Sequence, residues 1–463
     1  MSQAMTTASP GRPGGPLLGF LRLFTVIRPG EPTKALLLTL NSFLIIFGYY
    51  QIKPIRNGLL LAAHPAALQS YLAIPQAILL IFVVKAFARI AARYPRHRLI
   101  TYVSLFCVSN LVLFNILNWI GVPVSWMGVI FFIWIGMYNL LIPAQFWGFA
   151  NDIYSEEEGK RLFPLIAFGA SLGGVVGPIF ARLIIPVVGS YGMMMVASAV
   201  LILSLPLTWA IHHRDIREDK AAAEAAGVAQ VKEKPLDRRG GFRLIAASRY
   251  LLLIAVMIGL YNFINALGEF MFSHLQQAAA MRALGTGATG GADMQNYISA
   301  AFAGYQTLGS IIGLIIQLFL VSRIFRWVGI GGALFFLPIV ALGGYGYAAF
   351  GASLLLMKWL KAFENGTDYS LMKTARSALF LITGREEKYK AQAAIETFFV
   401  RGGDSLNALV VWVGTTFLAL SIEGFALVNV VSIFTWLVLC ILIRREYAKH
   451  SGAGTAAAEG RAI

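Results

Sequence analysis

The chain has 463 residues, 58% of them hydrophobic and 13% charged, with a formal net charge of +16 and a mean hydropathy of +0.70. Soluble domains average about 25% charged and 45–50% apolar residues. This apolar surplus therefore excludes a soluble enzyme and a disordered chain alike, and leaves a polytopic helical membrane protein.

Taken in chain order, apolar runs of crossing length lie at 35–57, 70–91, 99–119, 123–148, 162–186, 191–211, 246–275, 296–320, 328–349, 351–372, 390–418 and 424–443. The expectation is an all-α membrane protein of 12 transmembrane helices. Lys and Arg fall in every second connection: up to Lys34, then Lys85–Arg98, Lys160–Arg161, His212–Arg249, Arg323 with Arg326, Lys373–Lys390, and the C-terminal tail. These stretches hold 31 of the 38 basic residues, and Arg282 is the clearest exception. That bias places them, and both termini, in the cytoplasm. The basic balance thus reports topology and contact with anionic lipid rather than with nucleic acid.

The expected organisation is a cytoplasmic segment at 1–34, a six-helix bundle at 35–211, a charged cytoplasmic linker at 212–245, a second six-helix bundle at 246–443 and a cytoplasmic tail at 444–463. Two six-helix halves joined by a charged loop resemble the major facilitator superfamily, whose halves are parallel repeats. A weak echo between Phe149–Ser155 and Asn365–Ser370, at the ends of helices four and ten, supports the repeat. Gly169, Gly173 and Gly177, and likewise Gly309 and Gly313, recur every four residues. Small residues so spaced bring backbones close, as static packing or as sliding faces.

Several motifs are discounted. The first 33 residues hold no short apolar core with a cleavage site, so no secretory signal is expected. Gly285–Gly290 spells G-x-G-x-x-G but follows no strand. Asn365-Gly366-Thr367 is a glycosylation sequon inside a helix. Cys107 and Cys440 sit in predicted helices, and the six His residues are scattered, so neither disulfide, metal nor cofactor is expected. The lack of a P-loop argues against an ATP-driven pump, and no catalytic nucleophile stands out.

Charges inside the membrane carry the functional signal, since each costs about 2.5–3.5 kcal/mol at mid-bilayer on insertion scales. Helix ten carries Lys358, Lys361, Glu364 and Asp368, at steps that keep them on one face. Helix one closes with Lys53-Pro54-Ile55-Arg56-Asn57, where Pro54 is expected to break it. Helix seven carries Glu269 and His274, helix eleven Arg401 and Asp404, and Asn151 and Asp152 close helix four. Lys361 with Glu364, and Arg401 with Asp404, are read either as structural or gating pairs or as site residues. Lys53, Arg56 and Lys358 then lack local partners, which suits an anionic substrate held by charge-assisted hydrogen bonds. Trp147, Tyr261 and Phe363 are the nearby aromatics available to stack on a base.

Ile52–Asn57, Phe146–Asp152, Lys160–Leu165 and above all Glu364–Leu371 carry a resemblance, over most of 35–445, to the ATP/ADP translocase family of intracellular bacteria and plastids. The resemblance implies nucleotide exchange, with the family's helix-one lysine at Lys53, its acid after helix four at Asp152, its helix-seven glutamate at Glu269 and its lysine after helix ten at Arg376. The chain departs from the family pattern at Asn57, usually an acid; at Asp152, usually Glu; and through Met372–Ser377. An Arg keeps the charge of a Lys but not its geometry. These departures favour exchange of some other nucleotide or phosphorylated anion over import of host ATP.

Three functions follow as expectations. The first is nucleotide antiport of the ATP/ADP type, by alternating access at a central cationic site in a bacterial inner membrane. The second is transport of another anionic metabolite or an amphiphilic lipid. The third is a non-transporting membrane scaffold. Lys53, Arg56, Asn57, Asp152, Glu269, Lys358, Lys361, Glu364, Asp368 and Arg376 are the candidate binding residues. Lys53, Glu269, Lys361 and Glu364 are expected to meet in one water-filled cavity between the halves. The oligomeric state stays open, a monomer included.

Overall fold

A computed structural model describes residues 31–91, 93–154, 156–225, 241–383 and 391–459, and these contain no strand. Most of the expected N-terminal segment, 226–240 of the expected linker and residues 384–390 lie outside the described residues. Helix α1 is Glu31–Ala63. A short helix, Ala67–Tyr71, leads into α2, Ala73–Ala91. Helices α3 (Arg96–Trp119) and α4 (Val124–Ile153) follow. Glu156–Ala225 is continuous except at Gly189, whose φ of 74° leaves helical space. We take α5 as the part before Gly189 and α6 as the part after it.

The second half opens with α7, Arg249–Leu284. Helix α8, Ala292–Ile315, runs on through a π-turn at Ile316–Leu320 into Val321–Ala333, which is broken at Gly329. Helix α9 is Phe336–Ala348. Helix α10 joins Leu354–Thr367, a π-turn at Asp368–Met372 and Lys373–Leu379. Helix α11, Val400–Thr416, follows a third π-turn at Ile395–Phe399, and α12 is Ile422–Glu459.

Among the described residues, 8 helical stretches are long and apolar enough to cross a membrane, so the chain is a multi-pass membrane protein. The difference from the 12 expected crossings has physical sources. Arg161–Arg214 spans 54 residues and Ala292–Ala333 spans 42, each longer than the roughly 20 residues one crossing needs. Glycine corners at Gly189 and Gly329 turn the chain there without a loop. Helix α9 is short, and α10 and α11 carry too many polar residues to score as apolar.

Pro54 does not end helix one. It is buried within α1, which continues to Ala63. Neighbouring helices make internal prolines tolerable in membrane helices; α4 contains Pro143, and Pro164, Pro178, Pro186 and Pro206 lie in α5 and α6. Helix ten also does not end where the echo with helix four places its end. Helix α4 ends one residue after Asp152, whereas Asp368 is followed by the π-turn and a further helix to Leu379.

Buried apolar side chains form two large cores. One gathers α1 and α3–α6 around Leu38, Phe131, Tyr138, Ile166 and Met194; the other gathers α7–α12 around Ile254, Phe270, Phe302, Tyr345 and Trp436. They meet where α1 ends, since Leu61, Ala62 and Ala66 belong to the second core. The glycine rows pack within the halves. A Cβ on Gly173 would lie 2.5 Å from the Phe43 carbonyl oxygen, which shows how closely α5 approaches α1; Gly309 and Gly313 face Ala362 and Gly366 of α10.

Alternation of helix direction puts the start of α1, the ends of α4 and α6 and the start of α7 on one side, here the linker face. The end of α1, the Gly189 corner and the α7–α8 connection lie on the opposite, far face. The would-be dinucleotide loop belongs to that connection; Thr286–Ala288 is a 3-10 turn, and the Gly290 N–H donates to the Ala62 carbonyl at 2.8 Å.

Candidate functional site

A cavity of about 610 Å³ lies between the halves, walled by α1, α4, α5, α8 and α10. Lys53 and Tyr50 line it from α1, Trp147 from α4, and Asn365, Tyr369 and Lys373 from α10. Its lining contains two lysines and no carboxylate. Tyr369, Lys373 and Ser377 are exposed in it and continue toward the linker face.

The far side is closed by neutral hydrogen bonds between the halves. Gln277 of α7 accepts from the Ala66 N–H at 3.2 Å and donates to the carbonyls of Leu61 and His64, each at 2.7 Å. The Ser273 hydroxyl donates to Gln69 at 2.9 Å, and the Asn407 amide donates to Ser70 at 3.1 Å. At the Gly189 corner, Ser190 donates to Asn296 through both its N–H and its hydroxyl, at 2.8 and 2.9 Å. The hydrogen bonds found between described residues of the two halves all lie on this side. The structure is thus sealed on the far face and parted on the linker face.

Lys53 is partly buried, with its Nζ 5.1 Å from the Tyr50 ring centre and 5.9 Å from that of Tyr369 across the divide. No carboxylate among the described residues lies within ion-pairing distance of it. Pro54 has no N–H, so it also frees the Tyr50 carbonyl from its helical partner. Arg56, one turn further, reaches Glu269 of α7 at 3.8 Å, donates to Asn57 at 3.1 Å and lies over the Phe132 ring. Arg56 therefore has a partner, on a helix distant in sequence.

The helix-ten row does not open on the cavity. Lys361 and Glu364 are fully buried and paired at 2.7 Å. Lys361 also donates to the carbonyl and side chain of Asn265, and Tyr345 donates to Glu364 at 2.9 Å. They form a dry pair inside the second half, so the expected meeting of Lys53, Glu269, Lys361 and Glu364 in one watery cavity is corrected. Adjacent residues turn about 100° from one another on a helix. Glu364 is thus turned away from the stripe Asn365, Tyr369 and Lys373, which faces the cavity, and meets Tyr345 of α9; Lys361 starts that same row of four but its amine is drawn inward to Glu364 and to Asn265 of α7.

Asp368 pairs with Arg376 at 2.9 Å, and the Arg376 guanidinium covers the Tyr261 ring, so both belong to the interior of the second half. Arg401 and Asp404 pair within α11 at 3.1 Å. Lys358 is partly buried, and Asp152 is exposed at the end of α4; neither lines the cavity. Of the aromatics, Trp147 lines the cavity, Tyr261 is buried and Phe363 is exposed beside Trp359. Among the described residues no group of His, Cys, Asp and Glu has the makings of a metal site.

Sequence reasoning did not pick out Lys373, because it ended the tenth helix at 372. The signal was present: Asn365, Tyr369 and Lys373 are spaced by four, which keeps polar groups on one helical stripe.

Two opposed bundles around a cavity closed at one end define a secondary-transporter fold of the major facilitator kind. Solved structures show the same fold. A bacterial homologue of the iron transporter ferroportin, in an inward-facing state, aligns with a TM-score of 0.62 at 12% identity, covering 89% of this chain and 98% of that one. The nucleoside transporter NupG aligns at 0.60 and 11% identity, with 89% and 98% covered. The profile of the TLC ATP/ADP transporter family matches residues 115–447, and the chain belongs to that family. ADP,ATP carrier protein 2 of Chlamydia trachomatis is 25% identical over 68% of this chain, and the match spans 64% of that protein's length. ADP,ATP carrier protein 1 of the same organism is 22% identical over 87% of this chain and 85% of its own.

Proposed function

We propose that the protein exchanges nucleotides, ATP/ADP-like, across a bacterial inner membrane by alternating access at the cavity between its halves. One observation carries the reading: the cavity is lined by two lysines and no carboxylate, with Tyr50, Tyr369 and Trp147 in its walls. Surplus cations in a low-dielectric cleft call for a polyanion, and aromatic faces accept a base. Family membership and the names of the matched carriers support the same substrate class.

Lys53, at the junction of the halves, is the residue we place on a phosphate. Arg56, Asn57 and Glu269 form an adjoining polar bridge between α1 and α7. Lys361 with Glu364, Asp368 with Arg376, and Arg401 with Asp404 act as frame or gating pairs that bind no phosphate in this state. The division at 212–245 and the cytoplasmic placement of the linker face rest on the bias of basic residues. In that orientation the structure is the inward-open state.

Counterflow in proteoliposomes tests the function. Vesicles loaded with unlabelled ADP should take up labelled ATP or ADP, and empty vesicles should not. Uptake of other phosphorylated metabolites with no competition by any nucleotide would overturn the nucleotide reading in favour of another phosphorylated anion.

A further inference from the structure

We propose that Lys373 is the second phosphate-binding group of the cavity and makes it select nucleotides with two or more phosphates over monophosphates. The inference rests on the nucleotide reading and deepens it.

Position carries the argument. Helix α1 runs from the linker face to the far face, and Lys53 lies toward its far end. Helix α10 runs the other way, and Lys373 lies toward its linker end. Tyr369 stands between them: its ring is 5.9 Å from the Lys53 Nζ, and Lys373 follows it four residues on, across the π-turn and toward the linker end of the helix. The two ammonium groups are therefore placed in file along the cavity, one deep and one nearer the mouth. A single phosphate carries about −1.5 to −2 charges and engages one such group. A chain of two or three phosphates extends past Lys53 and gains a second charge-assisted contact at Lys373.

The surroundings separate Lys373 from the ordinary basic residues of the linker face. Its helical neighbour Arg376 is tied to Asp368 and Tyr261 inside the second half. Lys373 has no carboxylate within ion-pairing distance among the described residues and lines the cavity with Trp147 of the opposite half. The π-turn Asp368–Met372 immediately before it widens the helix there. Such turns concentrate at functional sites.

The test compares AMP, ADP and ATP as counterflow substrates of the full-length protein. Lys373→Ala should raise KM for ADP and ATP about tenfold, as expected for loss of one charge-assisted contact, while changing that for AMP less than about twofold. Lys373→Arg should recover most of the difference. A second reading places the reporter at Ser377→Cys, also in the cavity lining, with Lys373 present or replaced by Ala, and uses a membrane-impermeant thiol reagent, the natural Cys107 and Cys440 being buried. Inorganic pyrophosphate should slow modification when Lys373 is present and not when it is Ala, and orthophosphate at equal concentration should slow neither. Unchanged KM for ADP, an equal rise for AMP, or no protection by pyrophosphate overturns the assignment and leaves nucleotide exchange standing. Failure of the wild type to exchange any nucleotide, with pyrophosphate protection intact, overturns the nucleotide reading and leaves Lys373 as a phosphate ligand. Loss of both overturns both.

Discussion

Two kinds of charged residue occupy the interior, and they should respond differently to truncation. Lys53→Ala removes a cation that faces the cavity without a carboxylate partner. It should abolish exchange, a loss of about 2–5 kcal/mol in binding if the contact is desolvated, while the protein stays folded and in the membrane. Lys53→Arg should keep partial activity, since it keeps the charge. Transport by Lys53→Ala at the wild-type rate would remove Lys53 from the site. Lys361→Ala should behave otherwise. It strands Glu364, which is fully buried with its Oε1 already lacking a hydrogen-bond partner, at a cost of about 3–5 kcal/mol. Lost expression or a lowered melting temperature should come first, and a pair-neutral double replacement such as Lys361→Met with Glu364→Leu should restore folding. These outcomes also show what the chain reveals unaided. Insertion cost marks every intramembrane charge, but only packing decides which face of α10 meets the cavity. Lys361 and Glu364 were legible as a pair; the partners Asn265 and Tyr345 that draw them inward lie far away in sequence.

Helices were more legible than their ends. Apolar runs located the helices, because a bilayer demands about 20 such residues whatever surrounds them. Their termini shifted where the chain uses devices that hydropathy does not register: a buried Pro54 that α1 passes through, corners at Gly189 and Gly329, and π-turns that carry α10 past Met372 to Leu379. The glycine row of α5 was legible as close packing but not as to which helix it touches. A Cβ at Gly169, Gly173 or Gly177 would press on backbone oxygens of α1, at Thr39, Phe43 and Phe47. Gly173→Leu should therefore cost about 1–3 kcal/mol or more through forced separation of α1 from α5. Thermal unfolding in detergent would show it as a lowered melting temperature, and an unchanged one would refute the packing.

At the scale of the whole molecule, the two halves touch on the far face and part on the linker face. Thiol labelling of intact cells from outside should reach a cysteine placed near Gly287 and should miss one near Ala225; labelling at Ala225 would invert the topology. Gln277 is the keystone of the closed side, holding one N–H and two carbonyls of the α1–α2 connection. Gln277→Ala strands those groups, at about 1–3 kcal/mol each where no water replaces the lost contact. The balance should move toward the state open on the far face. Faster outside labelling near Ala66, with slower labelling of the cysteine at position 377, is the expected signature.

The far seal is made of amides, hydroxyls and backbone groups. Charge displaced through the membrane field is worth about 2.3 kcal/mol per elementary charge per 100 mV, and breaking hydrogen bonds between Gln277, Gln69, Asn407, Ser190 and their partners displaces none. Breaking these bonds should thus be indifferent to membrane voltage, and to salt on the far face. Any electrical sensitivity of the cycle has to enter with the charge of the cargo, of the lysines that accompany it and of the Arg56–Glu269 pair that also spans the halves.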